Sequence, residues 1–238
     1  MEVGMKVDAT FLRNDLVPPV VDPDHIQLAR FQEHSYVAGP GRRCVVWVSG
    51  CRRRCPGCFQ SQFFEFNAGQ RVSVDLVADQ ILAVSGIDGV TLSGGEPFEQ
   101  NAPLAKLCQR IKDESELTVL AYTGYRLESL LQSRDQYAAL LEQLDILIDG
   151  EYRQELGGPY LWRGSSNQRI HDLRNKADSR AIENECVLHS EMIQVAVSGE
   201  RIVLTGFPGP DVDKRFRQAL ESRGIALSRP HDKRQVNE

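Results

Sequence analysis

Three cysteines within eight residues form the strongest chemical signal in the sequence. Cys51, Cys55 and Cys58 are spaced C-x3-C-x2-C and follow an apolar run at residues 44–49. Three thiolates from one loop can hold three corners of a cubane iron–sulfur cluster, because soft sulfur ligands suit iron–sulfur chemistry. No fourth cysteine is near in sequence, so one iron would keep an open position for a substrate or cofactor. The spacing therefore predicts a [4Fe-4S] cluster with these three cysteines as its metal-binding and catalytic residues.

Two other interpretations of the cysteines are open on spacing alone. A structural zinc site would need a fourth ligand, and zinc sites usually combine two separated C-x2-C pairs. Alternatively, the three are ordinary thiols, as we expect for the scattered Cys44, Cys108 and Cys186. The pattern is unlike the disulfide framework of a small secreted protein. The spacing favours the iron–sulfur interpretation.

A glycine-rich stretch further along the chain carries one carboxylate. Ser93, Gly94, Gly95 and Glu96 end a predicted strand and precede Pro97. Two glycines let the backbone approach a ligand closely, and a carboxylate suits an ammonium group. We therefore predict that these residues bind a cofactor; the alternative is a plain turn.

Polar groups follow two more predicted strands. Thr123 and Gly124 could contact a cofactor through the hydroxyl and the backbone, with a strand-ending turn as an equal alternative. Asp149 could bind a cofactor, a cation or a partner, or it could cap the next segment. Residues 163–168 form a polar string that fits either a hydrogen-bonded turn or a contact to a cofactor or partner. We include Thr123, Gly124 and Asp149 among the predicted cofactor-binding residues.

Arginines flank the cysteines on a chain whose formal net charge is -5. A charge run is usually a solvated face, but here it could dock an acidic electron donor such as a flavodoxin or ferredoxin. The residues concerned are Arg42, Arg43, Arg52, Arg53 and Arg54. The net charge gives no indication of a nucleic-acid or membrane surface, and no apolar run reaches the length of a membrane span. We therefore expect a cytoplasmic protein with no nucleic-acid or membrane partner.

Alternating strand-like and helix-like patterns position these motifs. Ser73 is a predicted N-cap for a helix at residues 74–86, and Asn101 is a predicted N-cap for the next helix. The predicted strands cover 26–36, 44–49, 89–92, 117–122 and 145–148, and a third helix, broken near Ser133, covers 127–144. This repeated order predicts an α/β fold with a parallel sheet and right-handed crossovers. Because parallel strands end at one rim, the motif loops should converge on one site.

The C-terminal part of the chain has a different character. A polar stretch at 172–185 is a predicted linker, and a β-hairpin is predicted with strands at 193–197 and 201–205. Asp211 should cap a helix that ends near Gly224, before a short last strand. The apolar residues that we expect to pack on the core include Val195, Val197, Val203, Phe207 and Phe216.

These patterns divide the chain into three parts. They are a leader at 1–25, a core at 26–170, and a linker with a C-terminal extension at 171–238. We expect the extension to recognise a substrate or partner. The alternative is that it covers an exposed sheet edge.

Together, the motifs resemble those of the radical S-adenosylmethionine family. The closest likeness is to the activating proteins of anaerobic (class III) ribonucleotide reductase and related glycyl-radical-enzyme activases. The stretches that carry it are residues 39–43, 48–58, 92–98, 122–125, 145–150 and 163–169. Two features depart from the family: Gly57 stands where many members have an aromatic residue, although the activase branch often has glycine, and the chain continues well beyond Arg169.

The resemblance implies a fold and a reaction. The fold would be a partial, open parallel β/α barrel with a small C-terminal hairpin and helix. A reduced cluster would bind the amine and carboxylate of S-adenosylmethionine, with Glu96 at the amine, and cleave it to a 5'-deoxyadenosyl radical. This radical would take a hydrogen atom from a glycine Cα of a partner such as anaerobic ribonucleotide reductase. The alternatives are an enzyme that modifies another peptide, protein or small molecule, and a non-catalytic zinc or electron-transfer protein.

Overall fold

The fold is built around a seven-stranded sheet with helices packed on one face. We use a computed structural model, which describes residues 22–174, 193–198, 201–207 and 210–225. The strands in these residues are β1 (His25–Ser35), β2 (Arg43–Val48), β3 (Gln70–Ser73), β4 (Gly89–Gly94), β5 (Thr118–Tyr122), β6 (Ile146–Asp149), β7 (Gly157–Tyr160), β8 (Arg163–Ser165), β9 (Arg169–Asp172), β10 (Gln194–Ser198) and β11 (Arg201–Thr205). The helices are α1 (Val74–Leu82), α2 (Asn101–Glu114), α3 (Leu127–Gln132), α4 (Arg134–Leu141) and α5 (Pro210–Glu221).

The middle of the large sheet is parallel and its edges are antiparallel. The spatial order is β3-β1-β2-β4-β5-β6-β9. Strands β2, β4, β5 and β6 run parallel to one another, which confirms the predicted parallel arrangement for the strands that precede the motifs. At the edges, β1 pairs antiparallel with β2 and β3, and β9 pairs antiparallel with β6. The sequence did not predict this mixed character, because β3 and β9 are four-residue strands with polar ends.

The parallel strands are apolar on both faces, as is usual for parallel sheets covered on each side. Cys44, Val46 and Val48 of β2 join the main core beneath the helices, whereas Val45 and Trp47 point to the opposite face. We call that opposite side the inner face. It carries a second buried group made by Leu120, Ile146, Ile148, Leu161, Trp162 and Ile170, with Tyr122 packed against it.

The predicted helix starts agree with the structure at Ser73 and at Leu127, and they differ for α2 and α5. The Ser73 hydroxyl accepts a hydrogen bond from Leu76 N at 3.3 Å, so the predicted N-cap of α1 is confirmed. The prediction for Asn101 is wrong, because its amide bonds to the backbone of α4 rather than to the first turn of α2. The predicted break at Ser133 is confirmed as the junction of α3 and α4. Helix α5 begins at Pro210, so Asp211 lies inside its first turn and is not the N-cap.

The hairpin predicted in the C-terminal extension is formed by β10 and β11. It attaches to β1 through side-chain hydrogen bonds. The Gln194 amide donates to His34 O at 2.8 Å and accepts from Tyr36 N at 3.1 Å, and the Thr205 hydroxyl donates to Gln32 Oε1 at 2.9 Å. The extension therefore rests against the edge region of the sheet that β1 provides.

Packing of the hairpin differs from the sequence prediction. Val195 and Val197 are 42% and 71% exposed, so the expectation that these valines pack on the core is wrong. They share one face of the hairpin, because they are two residues apart on β10 and side chains alternate between the faces along a strand. The side of the hairpin that meets the core is instead the side of Gln194 and the buried Thr205.

Several predictions fall on parts of the chain outside the described residues. These are the leader up to residue 21, the linker from 175 to 192 with Cys186, the Val203 side chain, and the end of the chain from residue 226 with its predicted last strand. The predicted start of the linker at Asp172 is wrong, because this residue ends β9. No helix in the described ranges has both the length and the apolar character needed to cross a membrane.

Candidate functional site

Three loops meet where β2, β4 and β5 end, and a carboxylate links two of them. We call residues 51–58 the cysteine loop, residues 94–96 the GGE loop, and Thr123 with Gly124 the TG turn. Each follows a parallel strand directly or within two residues, so all three lie at one edge of the sheet. The convergence predicted from the sequence is therefore present for these loops.

The GGE loop packs against the backbone that leads into Cys51. Gly95 N donates to Val48 O at 2.7 Å, and Glu96 N donates to Gly50 O at 2.8 Å. A Cβ at Gly95 would lie 2.3 Å from Gly50 O, and Gly94 has a φ of 109°. Side chains at these two positions would push the loops apart, so the glycines are required for this contact. Ser93 precedes them as a partly exposed residue of β4.

Glu96 joins the GGE loop to the TG turn. Its carboxylate is 2% exposed and accepts hydrogen bonds from Thr123 Oγ1 at 2.9 Å, Gly124 N at 2.8 Å and Phe98 N at 3.1 Å. Burial raises the pKa of Glu96 to about 7, while these donors act in the opposite direction. A carboxylate has about four acceptor positions, so these bonds leave room for one more donor. The structure thus adds a bracing role that the sequence did not reveal, beside the predicted contact to an amine.

Backbone hydrogen bonds anchor the start of the cysteine loop and close a turn at its end. Cys51 N donates to Phe64 O at 2.9 Å, and Cys58 N donates to Cys55 O at 3.2 Å. Cys51 is buried, whereas Cys55 and Cys58 are partly exposed. Gly57 has a φ of 70°, which a larger residue would adopt only with strain. This conformation explains why glycine replaces the aromatic residue that many radical S-adenosylmethionine enzymes have at this position.

Burial controls the protonation of the three thiols. It raises the pKa of Cys51 to about 11 and also raises the pKa values of Cys55 and Cys58. Without a metal, the thiols are therefore protonated at neutral pH. Metal binding has to displace these protons, because thiolates are the ligands.

The donor set suits an iron–sulfur cubane. In the described part of the chain, no three His, Cys, Asp or Glu side chains converge as the ligands of a single metal ion would. A cubane does not need such convergence, because each thiolate binds a different iron atom. Three free cysteines on one short loop thus fit a [4Fe-4S] cluster by number and by softness.

The arginines do not form one patch around the cysteines. Arg43 lies at the start of β2, at the opposite end of that strand from the cysteine loop, and is completely buried. Its guanidinium donates to Thr91 Oγ1 and to the carbonyls of Val90 and Thr118, so it links the starts of β2, β4 and β5. Arg42, its neighbour, is also at that end, and the prediction that both flank the cluster is wrong.

The three arginines inside the cysteine loop each face a carboxylate. Arg52, Arg53 and Arg54 lie 3.5, 3.4 and 2.8 Å from oxygens of Glu99, Glu151 and Glu65. Arg53 also stacks over the Tyr125 ring at 4.3 Å. The positive charge around the loop is therefore partly neutralised within the protein.

Asp149 is occupied by structural contacts. Its side chain is 0% exposed and accepts from Leu127 N at 2.7 Å, at the first residue of α3, and from Arg169 Nε at 2.9 Å. His171 Nε2 lies 3.2 Å from the same carboxylate. Burial raises the pKa of Asp149, but the neighbouring His171, Arg169 and Leu127 groups outweigh it and hold this pKa well below its usual range. These contacts match the capping alternative.

The polar string at residues 163–168 is a hydrogen-bonded turn. Gln168 Oε1 accepts from Gly164 N at 2.8 Å and from Ser165 N at 3.2 Å, and its Nε2 donates to Gly150 O at 2.9 Å. Asn167 Nδ2 donates to the Glu151 carbonyl at 2.9 Å. The string closes the chain after β6, as the structural alternative predicts.

Sequence reasoning missed a group of four aromatic rings beside the cysteine loop. Phe59 follows Cys58 directly, and its ring lies 5.2 Å from Tyr152 and 5.8 Å from Phe207. Phe207 in turn lies 5.6 Å from Tyr122, at the end of β5. We call these four residues the aromatic cover. The position of Phe59 after the third cysteine was the only sequence signal for it.

Comparisons with known proteins agree with this geometry. A family model described as a 4Fe-4S single cluster domain matches residues 37–171. The anaerobic ribonucleoside-triphosphate reductase-activating protein of Escherichia coli K12 is 40% identical over 147 residues, which cover 58% of this chain and 93% of the relative. The proteins of the same name from Haemophilus influenzae and Enterobacteria phage T4 are 39% and 35% identical, with 92% and 86% of their lengths covered. The chain therefore belongs to the 4Fe-4S single-cluster family that includes these activating proteins, and it is a radical S-adenosylmethionine enzyme of the activase type.

Proposed function

We propose that this protein generates a glycyl radical on an anaerobic ribonucleotide reductase by reductive cleavage of S-adenosylmethionine. The observation that carries the proposal is the link made by Glu96. This one carboxylate holds the TG turn, while its own backbone holds the segment before Cys51. A cofactor-binding carboxylate and a cluster-binding loop are thereby fixed next to each other.

The residues of the site have distinct tasks in this proposal. Cys51, Cys55 and Cys58 hold the cluster, which when bound supplies a low-potential electron and an open iron position. Glu96 offers its remaining acceptor position to the ammonium group of S-adenosylmethionine, and the backbone of Gly94 and Gly95 permits close approach.

Three other predicted cofactor-binding residues belong to the loops and strand next to that carboxylate, whereas Asp149 is occupied by its contacts to α3 and β9. Thr123 and Gly124 orient Glu96 through their hydrogen bonds, and Ser93 directly precedes the GGE loop as a partly exposed residue of β4. The aromatic cover keeps water from the side of the cysteine loop, where a reactive radical must be protected from solvent.

We further propose that the sheet forms the partial, open barrel of the radical S-adenosylmethionine family. Its four parallel strands carry the helices α1, α2 and α4 on one face. Aromatic and polar side chains, including Trp47, Tyr122 and Thr91, lie towards the inner face. An inner face of this composition supports a chamber for cofactor and substrate. The core at 26–170 would form this chamber, with the extension at 171–238 added to it.

The test is an anaerobic assay of the reconstituted protein. It is incubated with S-adenosylmethionine and a low-potential reductant, with and without a candidate anaerobic ribonucleotide reductase. We expect 5'-deoxyadenosine by chromatography and a glycyl-radical doublet by electron paramagnetic resonance when the reductase is present. A Cys58→Ala variant serves as the inactive control. A cluster-loaded protein that never forms 5'-deoxyadenosine would contradict the proposal.

A second candidate is modification of another peptide, protein or small molecule. It is favoured by the C-terminal extension, which lies beyond the family match at residue 171 yet places Phe207 on the aromatic cover. The same assay separates the two, because this candidate gives 5'-deoxyadenosine without a radical on the reductase. For both candidate functions, we propose that the extension contributes to recognition of the target.

An electron donor such as a flavodoxin or ferredoxin would dock at the cysteine loop. Arg52 and Arg54 are 45% and 43% exposed there, despite their contacts to Glu99 and Glu65. Acidic donors are attracted by such exposed cations in a salt-dependent way. Replacing both with Gln should lower the rate of cluster reduction by a flavodoxin and leave reduction by dithionite unchanged.

A further inference from the structure

A residue outside the family domain touches the residue that follows the third cluster cysteine. The family match ends at residue 171, whereas Phe207 lies after β11 in the C-terminal extension. The Phe207 ring meets Phe59 edge-on, with centroids 5.8 Å apart and an interplanar angle of 72°. Aromatic pairs with this edge-to-face geometry contribute favourable energy beyond the burial of their area.

The contact is continued by the other rings of the aromatic cover. Phe207 lies 5.6 Å from Tyr122, and Phe59 lies 5.2 Å from Tyr152. Gly164 lies against two of these rings: a Cβ there would come within 2.9 Å of Tyr152 Cδ2 and 3.3 Å of Phe207 Cδ1. The four rings therefore come from four separate segments, and two of them, Tyr152 and Phe207, pack against Gly164.

The position of Phe207 is fixed by its own segment. Thr205, two residues earlier, is buried and hydrogen-bonded to Gln32 of β1. Gly206 has a φ of 117°, which turns the chain from β11 towards the cysteine loop. Phe207 thus reaches from the β1 side of the sheet to the end of β5.

Phe59 is incompletely shielded by the family domain. It is 42% exposed even with Phe207 packed on it, and the adjacent Cys58 is only partly buried. Removing the Phe207 ring would expose Phe59 further and free it to move. The segment that carries a cluster ligand would then be more open to solvent.

We propose that Phe207 is a positioning residue of the cluster site, which holds Phe59 in place and restricts access of water, oxidants and chelators to the cluster. It acts through Phe59 and does not itself bind iron. This inference rests on the cluster of the family and is independent of the glycyl-radical target.

The test measures iron release from the full-length holoprotein. The wild type and Phe207→Ala are reconstituted anaerobically, a strong ferrous-iron chelator is added, and the loss of cluster absorbance is followed. We expect release from Phe207→Ala to be roughly 3- to 10-fold faster, the range that corresponds to loss of one aromatic pair. Phe59→Ala should accelerate release similarly, and the double variant should be no faster than the faster single variant, because both changes remove the same contact.

Two controls separate this role from a general loss of stability. Val197→Ala changes a 71% exposed residue of the same hairpin and should release iron at the wild-type rate. Phe207→Leu keeps most of the side-chain volume, and its rate of iron release should fall between the rates of the wild type and Phe207→Ala. If an alanine variant does not fold, Phe207→Leu, Phe59→Leu and the double leucine variant provide the same double-mutant comparison. A wild-type rate for Phe207→Ala, or additive effects with Phe59, would overturn the proposal. Neither S-adenosylmethionine nor a partner is present, so failure of the proposed function would not affect the result.

Discussion

At the scale of single residues, Glu96 combines two tasks that one would usually assign to different side chains. Three protein donors already occupy its buried carboxylate, and one acceptor position is left. The three donors hold the carboxylate in one orientation before any ligand arrives. A preorganised acceptor of this kind loses little conformational freedom on binding.

We predict that Glu96→Ala weakens binding of S-adenosylmethionine by about 1.5–3 kcal/mol, the range for a charge-assisted hydrogen bond. Isothermal titration calorimetry on the cluster-loaded variant measures this loss. Glu151→Ala is a matched control, because Glu151 is near the loop but 46% exposed at its side chain. Wild-type affinity in Glu96→Ala would remove Glu96 from the cofactor site.

The cysteines allow a second prediction at this scale. Single Ala replacements of Cys51, Cys55 and Cys58 should each abolish the intact cluster, because the loop at residues 51–58 contains no fourth cysteine that could replace the lost ligand. Iron content and visible absorbance measure the outcome. Cys44→Ala and Cys108→Ala should keep the cluster, since both residues lie in the main core beneath the helices. Full iron content in any of the first three variants would refute the ligand assignment.

The sequence predicted residues of the site well where chemistry depends on spacing. The cysteines and the two glycines were identified in this way, because their roles follow from residue type and local order. The bonds of Glu96 to Thr123 and Gly124 were not predictable, since they depend on the relative position of β4 and β5. Phe207 was assigned to the core without its partner, because a contact to Phe59 requires two distant segments to meet.

At the scale of elements, Asp149 joins the end of β6 to α3 and β9. Its buried carboxylate meets Leu127 N, Arg169 and His171. The β6–β9 pair is antiparallel and sits at the edge of the sheet, where fewer neighbours secure a strand. The negative charge of Asp149 therefore stabilises the attachment of β9 and α3 at this edge of the sheet.

We predict that Asp149→Asn lowers the free energy of unfolding by about 2–3 kcal/mol at pH 7, the upper range for a charged hydrogen bond. The value is not larger because Arg169 is 39% exposed at its side chain and can be solvated when unpaired. Urea unfolding of the cluster-free chain measures the change. Asp75→Asn, at an 85% exposed side chain of α1, should cost less than about 1 kcal/mol.

The loss of stability caused by Asp149→Asn should depend on pH. The pKa of Asp149 is lower in the folded than in the unfolded chain, so its stabilising effect is complete above the unfolded pKa of about 3.9. The effect is lost as the pH falls below that value towards the folded pKa. The stability difference between wild type and Asp149→Asn should thus shrink as the pH is lowered from about 5. An unchanged difference in acid would contradict the lowered pKa.

The elements themselves were predicted where apolar runs or helical periods were long. The strands β2, β4, β5 and β6 and the broken helix after Leu127 are examples. The short strands β7, β8 and β9 were not predicted: the residues of β8 were interpreted as part of a polar turn, Asp172 of β9 as the start of the linker, and no element was assigned to β7. Segments of three or four residues with little apolar character give no strand pattern. Their pairing comes from tertiary contacts such as those of Gln168 with Gly164 and Gly150.

At the scale of the whole molecule, a family domain carries an added segment. The aligned 58% of this chain accounts for 93% of the Escherichia coli relative, so the extension is additional to what that relative uses. In this protein the extension is nevertheless hydrogen-bonded to β1, and it contributes the Phe207 ring to the aromatic cover. An addition that reaches the site can affect the reaction as well as partner binding.

We predict that truncation after Lys176 leaves a chain that folds and assembles a cluster, because the matched family region is complete. Circular dichroism and iron content measure this result. The shortened protein should cleave S-adenosylmethionine slowly without a target but fail to abstract hydrogen from its true target. An insoluble product would favour the edge-cover role of the extension, and normal activation of the partner would refute the recognition role.

The separation of Phe59 and Phe207 along the chain also sets an order of events during synthesis. Roughly 150 residues are added after Phe59 before Phe207 is made, which takes about 7–30 s at 5–20 residues per second. All four parallel strands and the three cysteines have left the ribosome well before that time. Iron and sulfide can therefore be delivered to the cysteine loop of the nascent chain while it is still open. Phe207 therefore completes the aromatic cover last, and a cluster delivered during that interval would be in place before this ring packs on Phe59.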